Sequence, residues 1–328
     1  MGSRIAVLAR EGAQPASKSV LLLTCCAWTL SGAQQHQRSN GKMTSANHIQ
    51  RVAFQGESGA FSEEAAIHLL GEEIDTVPRP TFEALFSSVK DGIADYALAP
   101  IENSLAGSVH KSYDLLLESH LQVVREVILP IAHNLIGMPD AALDEIISVE
   151  SHPVALAQCE HFFRSRPQMR RVASLDTAGS VREIILAGDP SRAAIAGKRA
   201  AEIYGGNILL EHLEDHRENY TRFLLLAASP EPSEDADKLS LVVHLEHKPG
   251  ALQRALDVFA KRNISLLKIE SRPIAGRPWE YRFYLDLQTS LNDPEAVQAL
   301  KELRSCASDV CILGCYPAHK STKGNSIP

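Results

Sequence analysis

The sequence lacks the short motifs that identify several common enzyme classes. It contains no CxxC pair, and the Cys311/Cys315 spacing has no second ligand cluster, so a zinc site is not expected and a reducing compartment is favoured. Neither HExxH nor GxSxG occurs, which leaves metalloprotease and α/β-hydrolase chemistry without support. No glycine-rich phosphate loop follows the first predicted strand. Of the reaction classes considered, the one that remains is chemistry on an organic acid without a metal or cofactor.

An excess of positive charge is also lacking. The 328 residues carry 33 Lys and Arg against 40 Asp and Glu, a formal net charge of -7. A surface of that sign argues against non-specific binding to nucleic acid or to an anionic membrane. Residues 1–50 hold five basic residues and one acid, whereas the rest of the chain holds 28 basic residues and 39 acids. The part expected to fold is therefore the acidic part.

The first 50 residues contain no apolar run long enough to span a bilayer. The longest, residues 20–30, has eleven residues. Three interpretations stay open: a signal-like segment cleaved near Ala33, an acid-poor transit peptide for a plastid, and a translation start at Met43. We favour the start at Met43 and a cytoplasmic location, with a plastid as the alternative. Residues 1–50 are accordingly predicted to be an extension outside the fold.

The length allows about two domains, and the pattern changes once along the chain. From residue 51 onward strand-like and helix-like periods alternate, which favours an α/β domain over residues 51–227. Residues 228–237 have two prolines and four acids, so we predict a linker there. Residues 238–317 predict the order βαββαβ of ferredoxin-like domains, followed by a tail over 318–328.

Three segments place hydroxyl and small residues where a predicted strand gives way to a helix. They are residues 102–108, 151–153 and 176–180. Backbone N–H groups at helix starts attract anions, so three such corners favour a cleft for a small ligand with several negative charges. Ordinary helix capping is the alternative, with Ser62, Thr81 and Thr177 as the expected N-caps. The nearby His110, His133 and His152 are more simply interpreted as structural.

A fourth segment, residues 219–223, combines a hydroxyl with a guanidinium. Thr221 offers a proton donor for a leaving oxygen, and Arg222 offers a forked donor suited to a carboxylate. The alternative for Arg222 is a structural ion pair, and the acids considered as its partners are Glu211, Glu214, Asp215 and Glu218. Adjacent strand residues face opposite sides, so Thr221 and Arg222 can line one pocket only if the strand begins after them.

Several stretches together resemble the prephenate dehydratase family, including its arogenate dehydratase relatives, with a C-terminal ACT domain. The matching stretches are VAFQGESGAFSEEAA from Val52, APIENSLAGSVHKSYDLL from Ala99, SHPVALAQCEHFF from Ser151, DTAGSV from Asp176, AAIA from Ala193 and NYTRF from Asn219. The resemblance implies a catalytic domain of two α/β lobes, similar to type II periplasmic binding proteins, with the active site between the lobes.

The resemblance also implies a cofactor-independent carbon–oxygen lyase that converts prephenate to phenylpyruvate, or arogenate to phenylalanine, in phenylalanine biosynthesis. It implies Thr221 and Arg222 as the catalytic residues. The implied substrate contacts are Asn103, Ser104, Ser151, Thr177 and Asn219. No metal or other cofactor is implied. The rival hypothesis is a non-catalytic protein that binds an organic anion and carries an amino-acid-sensing ACT domain.

In the C-terminal unit two short motifs resemble those that bind phenylalanine as an effector in this family. They are Pro249, Gly250, Ala251 and Leu252, and Glu270, Ser271, Arg272 and Pro273. An ordinary turn and an exposed loop are the alternatives. The resemblance implies feedback inhibition by phenylalanine in a homodimer or homotetramer. Two positions depart from the family pattern: Gln253 replaces an aliphatic residue of the first motif, and Glu150 replaces one before Ser-His-Pro.

Overall fold

A computed structural model describes residues 49–320 of the chain. Most of the extension predicted over residues 1–50, and the tail after residue 320, lie outside the described residues, and Gln50 already belongs to the first strand. Within residues 49–320, no helix is both long enough and apolar enough to cross a membrane.

The described chain folds into fifteen strands and nine α-helices. In chain order they are β1 (Gln50–Gln55), α1 (Phe61–Leu70), β2 (Ile74–Arg79), α2 (Phe82–Lys90), β3 (Tyr96–Asn103), β4 (Gly107–Ser108), α3 (His110–Ser119), β5 (Gln122–Pro130), β6 (Asn134–Gly137), β7 (Ser148–Ser151), α4 (Pro153–Ala157), α5 (Glu160–Ser165), β8 (Arg170–Ala173), α6 (Thr177–Ala187), β9 (Arg192–Ala196), α7 (Lys198–Tyr204), β10 (Asn207–Leu210), β11 (Tyr220–Ala227), β12 (Lys238–His244), α8 (Ala251–Ala260), β13 (Ser265–Ile274), β14 (Arg277–Gln288), α9 (Pro294–Cys306) and β15 (Asp309–Tyr316).

The α/β part consists of two lobes, each built on its own sheet. The first sheet has the order β2-β1-β3-β11-β5, with β4 paired to β3, and the second has the order β10-β6-β9-β7-β8. The chain passes from the first lobe to the second after β5 and returns before β11. Two crossings between lobes leave a cleft between them, as the resemblance implied, and the predicted α/β class is confirmed.

β11 is the returning strand, and it lies inside the first sheet. It is antiparallel to both of its neighbours, β3 and β5, whereas β1 runs parallel to β2 and to β3. The strand buries a continuous apolar run, residues 223–227, on both faces of the sheet. Its first residues, Tyr220 and Thr221, are only half-buried because they reach the edge of the cleft.

The helix starts agree only partly with the predicted N-caps. Thr81 caps α2 by accepting a hydrogen bond from Ala84 N, as predicted. Ser62 lies inside the first turn of α1, whose N-cap is Ala60, so that prediction was wrong. Thr177 is likewise the first residue of α6, and Asp176 caps this helix by accepting from Gly179 N over 2.7 Å. A carboxylate and a hydroxyl are both good caps, and here the earlier residue has the extended backbone that capping needs.

The C-terminal sheet has the order β13-β14-β12-β15, and the predicted order βαββαβ is confirmed. Residues 228–237, expected to be a linker, contain neither helix nor strand. One face of the sheet packs against α8 and α9 through an apolar core that includes Leu241 and Leu285. Because side chains alternate along a strand, the neighbouring residues point to the other face.

That other face of the C-terminal sheet packs on the first lobe. β15 lies so close to β5 that a Cβ built on Gly314 would be 2.1 Å from Val123 O, so only glycine fits there. Nearby, Tyr284 OH donates to Tyr113 O over 3.0 Å, and the two rings meet edge to face. The C-terminal sheet is therefore covered by helices on one side and by the first lobe on the other.

Candidate active site

A cavity of about 430 Å³ lies between the two lobes, within the size range of small-ligand sites. β3, β11 and the start of α1 line it from the first lobe, and the starts of α4 and α6 line it from the second. Its polar lining residues are Gln55, Ser62, Asn103, His133, His152, Gln158, Asp176, Thr177 and Thr221. Three of the predicted site residues thus meet in one cavity: Asn103, Thr177 and Thr221.

Thr221 and Asn103 lie opposite each other on β11 and β3. Asn103 Nδ2 donates to Thr221 Oγ1 over 3.0 Å. The orientation of the amide follows from its other end, because Asn103 Oδ1 accepts from Leu105 N at 3.0 Å and from Ala106 N at 2.8 Å. Thr221 Oγ1 is therefore an acceptor toward Asn103, which leaves the hydroxyl proton of Thr221 free for a ligand in the cavity.

The hydrogen bonds continue from Asn103 into the second lobe. Asn103 Nδ2 also donates to Asn219 Oδ1 at 2.7 Å, and Asn219 Nδ2 donates to Gln158 Oε1 at 3.0 Å. The same Gln158 oxygen lies 2.8 Å from His133 Nε2, which must then carry the proton of that bond. Two amides and an imidazole thus join the lobes at the wall of the cavity and fix the orientation of Asn103.

Burial lowers the pKa of His133, because desolvation outweighs its hydrogen bond to Gln158 and the charge of Glu214. The imidazole is therefore neutral near pH 7, with its proton on Nε2. Its Nδ1 has no hydrogen-bond partner in the described part of the chain. Phe61 packs edge to face against the ring and keeps this side of the cavity apolar.

Within the described chain, no Lys or Arg side chain lines the cavity. The favourable groups for an anion are the starts of α1 and α6, where Ser62 and Thr177 line the wall. Helix N-termini present backbone N–H groups and the positive end of the helix dipole. Each start also carries acids: Asp176 lines the α6 side, and Glu63 and Glu64 lie in the first turn of α1, where Glu63 is paired with Arg199.

Three of the predicted substrate contacts lie outside the cavity wall. Asn219 is fully buried and acts only through its amide bonds. Ser151 is also fully buried and donates to Ile195 O over 2.6 Å. Ser104 donates to Glu218 O and accepts from Tyr220 N, at 2.7 and 2.9 Å. Each of these side chains thus has a partner within the protein: Asn219 bonds to the second lobe, whereas the bond of Ser151 lies within the second lobe and those of Ser104 join the ends of β3 and β11.

Arg222 does not line the cavity. The geometry therefore contradicts the expected contact between Arg222 and a substrate carboxylate. It follows Thr221 on a continuous strand, so its side chain leaves β11 on the opposite face. Arg222 is 8% exposed, and its guanidinium binds Glu126, Glu102 and Asp286. A structural ion pair was the alternative interpretation, but the four acids considered for it, Glu211, Glu214, Asp215 and Glu218, are not its partners.

Gln158 is the residue of this site that the sequence reasoning missed. It is the C-cap of the short helix α4, seven positions after Ser151, and it carries no chemistry that a motif would signal. His133 was noticed as close to the cleft but interpreted as structural. The one available signal for Gln158 is its position inside the SHPVALAQ stretch that carries the resemblance.

A second cavity, about 150 Å³, lies in the C-terminal unit between the end of β12 and the start of α8. Ala251 and Leu252 line it together with Tyr281 and Phe283 of β14. Gly250 precedes the helix with φ 75°, a conformation that favours glycine.

The second effector motif lies on β13, beside the strand that lines this cavity. Ser271 pairs with Phe283 in the sheet. Glu270 and Arg272 face the other way: Glu270 accepts from Ser108 Oγ at 2.8 Å, and Arg272 binds Asp114 at 2.9 Å. These two side chains therefore contact the first lobe and not the cavity.

Two α/β lobes around a ligand-sized cavity, with a βαββαβ domain that holds a second cavity, define a bilobal ligand-binding protein with an attached ACT-type domain. A family model described as prephenate dehydratase matches residues 52–231, and one described as ACT domain matches residues 239–305. The chain belongs to the prephenate dehydratase family.

Similar proteins agree with this assignment. The chain is 43% identical over 283 residues to arogenate dehydratase/prephenate dehydratase 1, chloroplastic, of Arabidopsis thaliana, covering 81% of this chain and 72% of that protein. The crystal structure of a prephenate dehydratase with L-Phe from Arthrobacter aurescens matches with TM-score 0.75 and 32% identity, over 81% of this chain and 89% of the other. A structure described as GqqA, a novel type of quorum quenching acylases, matches with TM-score 0.76 and 32% identity, over 82% and 98%.

Proposed function

We propose that the protein is a dehydratase that acts on prephenate or arogenate. The observation that carries the proposal is the hydrogen bond from Asn103 Nδ2 to Thr221 Oγ1, which directs the threonine proton toward the cavity. In the reaction, the bond between the ring and its carboxylate breaks and carbon dioxide leaves. The electron pair enters the ring as the carbon–oxygen bond on the opposite side breaks. The hydroxyl departs as water with the proton of Thr221, which solvent then restores.

Aromatisation supplies much of the driving force, so the protein mainly has to orient the substrate and assist the leaving group. The α1 terminus is the proposed position of a substrate carboxylate, since Arg222 lies outside the cavity. Phe61, packed edge to face on the neutral His133, provides an apolar wall for the ring. A site with few charges suits the loss of a carboxylate. Desolvation destabilises the charged carboxylate, whereas the neutral product carbon dioxide is hardly affected.

We further propose that phenylalanine is an effector bound in the second cavity. The support is the lining of that cavity: Leu252, Tyr281 and Phe283 supply apolar contacts, and the start of α8 supplies backbone N–H groups. A homodimer or homotetramer is proposed with it, because the edge strand β13 exposes Leu267 and Ile269. Light scattering on the purified full chain tests the oligomeric state.

The proposed location is the cytoplasm, or a plastid if the first residues are a transit peptide. The Arabidopsis thaliana relative is described as chloroplastic, which supports the plastid alternative. Sequencing of the mature N-terminus in native material separates the two: a start at Met43 supports the cytoplasm, and cleavage downstream of a translated leader supports the plastid.

The test of activity is to incubate the purified full chain separately with prephenate and arogenate and to identify the products by chromatography. Formation of phenylpyruvate or phenylalanine supports the proposal and shows which substrate is preferred. Tight binding of either compound without turnover would favour the non-catalytic rival. One structural relative is described as an acylase, so a parallel assay tests the hydrolysis of an N-acylated amino-acid lactone. Hydrolysis of this compound without dehydration of prephenate or arogenate would contradict the proposal.

A further inference from the structure

Arg222 and Glu102, the strand neighbours of Thr221 and Asn103, bind the C-terminal sheet. In the register of β3 and β11, Thr221 lies opposite Asn103 and Arg222 lies opposite Glu102. Directly paired residues share a face, and neighbours along a strand point to opposite faces. The front of these two strands therefore presents Thr221 and Asn103 to the cavity, and the back presents Arg222 and Glu102 to the ACT domain.

Arg222 is bound on this back face by groups from both domains. Its Nε donates to Glu126 of β5 over 2.7 Å, and its Nη1 donates to Asp286 of β14 over 2.6 Å. Its Nη2 donates to Tyr316 OH of β15 over 3.1 Å. Tyr316 is fully buried, and Glu126 and Asp286 are nearly so. Hydrogen bonds between charged groups in such a dry setting are short and strongly directional.

Glu102 is held in the same way, from the edge strand of the ACT sheet. Lys268 of β13 donates to Glu102, which also accepts from Arg222 Nη1 over 3.2 Å. Two residues further along β13, Glu270 accepts from Ser108 Oγ, so the chain on each side of Asn103 is bound to the same strand. β13 also carries the Glu270–Pro273 motif that was expected to contact an effector.

From this arrangement we propose that the ACT sheet positions the active-site pair: Arg222 and Glu102 transmit the position of β13, β14 and β15 to Thr221 and Asn103. Arg222 and Glu102 are positioning residues in this role, since neither touches the cavity. The inference rests on the proposed function for its catalytic readout and assigns a structural route to its regulation. A shift of the ACT sheet by a fraction of a hydrogen-bond length alters the Asn103–Thr221 bond without any ligand in the cleft.

The test uses conservative changes that remove a group bound to Arg222 or to Glu102 and keep the fold. Tyr316→Phe removes the hydroxyl that binds Arg222 and Ser240, and Lys268→Met removes the ammonium that binds Glu102. Tyr284→Phe is the matched control for the first, because its buried hydroxyl lies at the same interface but binds the backbone of Tyr113. Lys261→Met, at the exposed end of α8, is the control for the second.

Two measurements are made on the full-length proteins after circular dichroism has shown that each is folded. Steady-state kinetics give kcat and KM, and hydrogen exchange followed by mass spectrometry reports on residues 104–109 and 219–222. We expect Tyr316→Phe and Lys268→Met to lower kcat about threefold to thirtyfold with KM changed less than about twofold. We also expect exchange in both segments to become at least about threefold faster. Both controls are expected to match the wild type.

Equal behaviour of the variants and their controls in both measurements would overturn the proposal. A loss confined to KM would also contradict it, since misplacement of the proton donor acts on the chemical step. Failure of the wild type to turn over prephenate or arogenate would reject the proposed function instead. The exchange experiment would then decide the positioning role alone, because it needs no substrate.

Discussion

Arg199 of the second lobe donates from Nε to Glu63 Oε2 of the first lobe over 2.9 Å. Glu63 is 3% exposed, and its carboxylate also accepts from Gly59 N at 2.7 Å and from Thr76 Oγ1 at 2.8 Å. All three bonds are made on the side of the cleft where α1 meets α7. The two lobes are therefore joined by an ion pair with a buried carboxylate and a partly exposed guanidinium, as well as by the amides at the cavity wall.

This contact predicts a dependence of stability on pH. Burial alone raises the pKa of Glu63, but the bonds from Arg199, Gly59 and Thr76 outweigh it and hold the pKa below its ordinary value. A carboxyl with a depressed pKa stabilises the fold above its unfolded pKa and loses that contribution as the pH falls through its folded pKa. Glu63→Gln is expected to lower the free energy of unfolding by about 1.5–3 kcal/mol at pH 7.

Urea unfolding of the wild type and Glu63→Gln, from pH 7 to below pH 4, measures this contribution. The difference between the two proteins should begin to shrink as the pH falls below the unfolded carboxyl pKa of about 4.3, and it should vanish only below the depressed folded pKa. Glu83→Gln is the control, because Glu83 is exposed and pairs with Lys111 on the surface. A Glu63→Gln difference that stays constant over the whole pH range would contradict the assignment.

Thr221→Ala should abolish most of the activity if Thr221 is the proton donor. We expect kcat to fall about a hundredfold to ten-thousandfold, the range for loss of a positioned proton donor. Thr221→Ser keeps a hydroxyl within reach of Asn103 Nδ2 and should retain far more activity. Steady-state kinetics on the purified chain give both values. Turnover by Thr221→Ala at the wild-type rate would remove the mechanism.

Asn103→Asp tests the direction of the hydrogen bond to Thr221. The substitution keeps the shape of the side chain and an oxygen for Leu105 N and Ala106 N, but it replaces the donor that faces Thr221. The new carboxylate accepts the threonine proton and so withdraws it from the substrate. We expect a fall in kcat of about a hundredfold or more, with the fold retained. An unchanged kcat would show that the orientation of the hydroxyl does not matter.

The sequence predicted the elements of the fold better than it predicted the partners of charged side chains. Periodicity was sufficient for the α/β alternation and for the βαββαβ order, because both follow from local burial patterns. It could not reveal Asp286 as a partner of Arg222, since the two are 64 residues apart and belong to different domains. Strand alternation did indicate that Thr221 and Arg222 face opposite sides. Gln158 gave no local signal, because an amide at a helix end has many structural uses.

Arg222→Met is expected to reduce stability, in contrast to what a substrate-binding arginine would do. Removing the guanidinium leaves the buried Glu126 and Asp286 without their principal shared partner. Loss of one partner from a buried ion pair typically costs about 3–5 kcal/mol. Urea unfolding measures the effect, and Arg217→Met, the same change at an exposed position shortly before β11, provides a comparison. Unchanged stability together with a large rise in KM would restore Arg222 as a substrate contact.

Filling the second cavity should block the binding of phenylalanine. Ala251 lines that cavity at the start of α8, so Ala251→Leu places a larger side chain in the proposed effector site. Gln253→Leu introduces the same residue two positions later on the exposed side of the helix and serves as the control. Calorimetry should show at least about a tenfold rise in Kd for Ala251→Leu, which corresponds to about 1.4 kcal/mol, and little change for Gln253→Leu. Since Arg272 contacts Asp114 and not the cavity, Arg272→Ala should weaken inhibition more than it weakens binding. Equal binding by the wild type and Ala251→Leu would place the effector elsewhere.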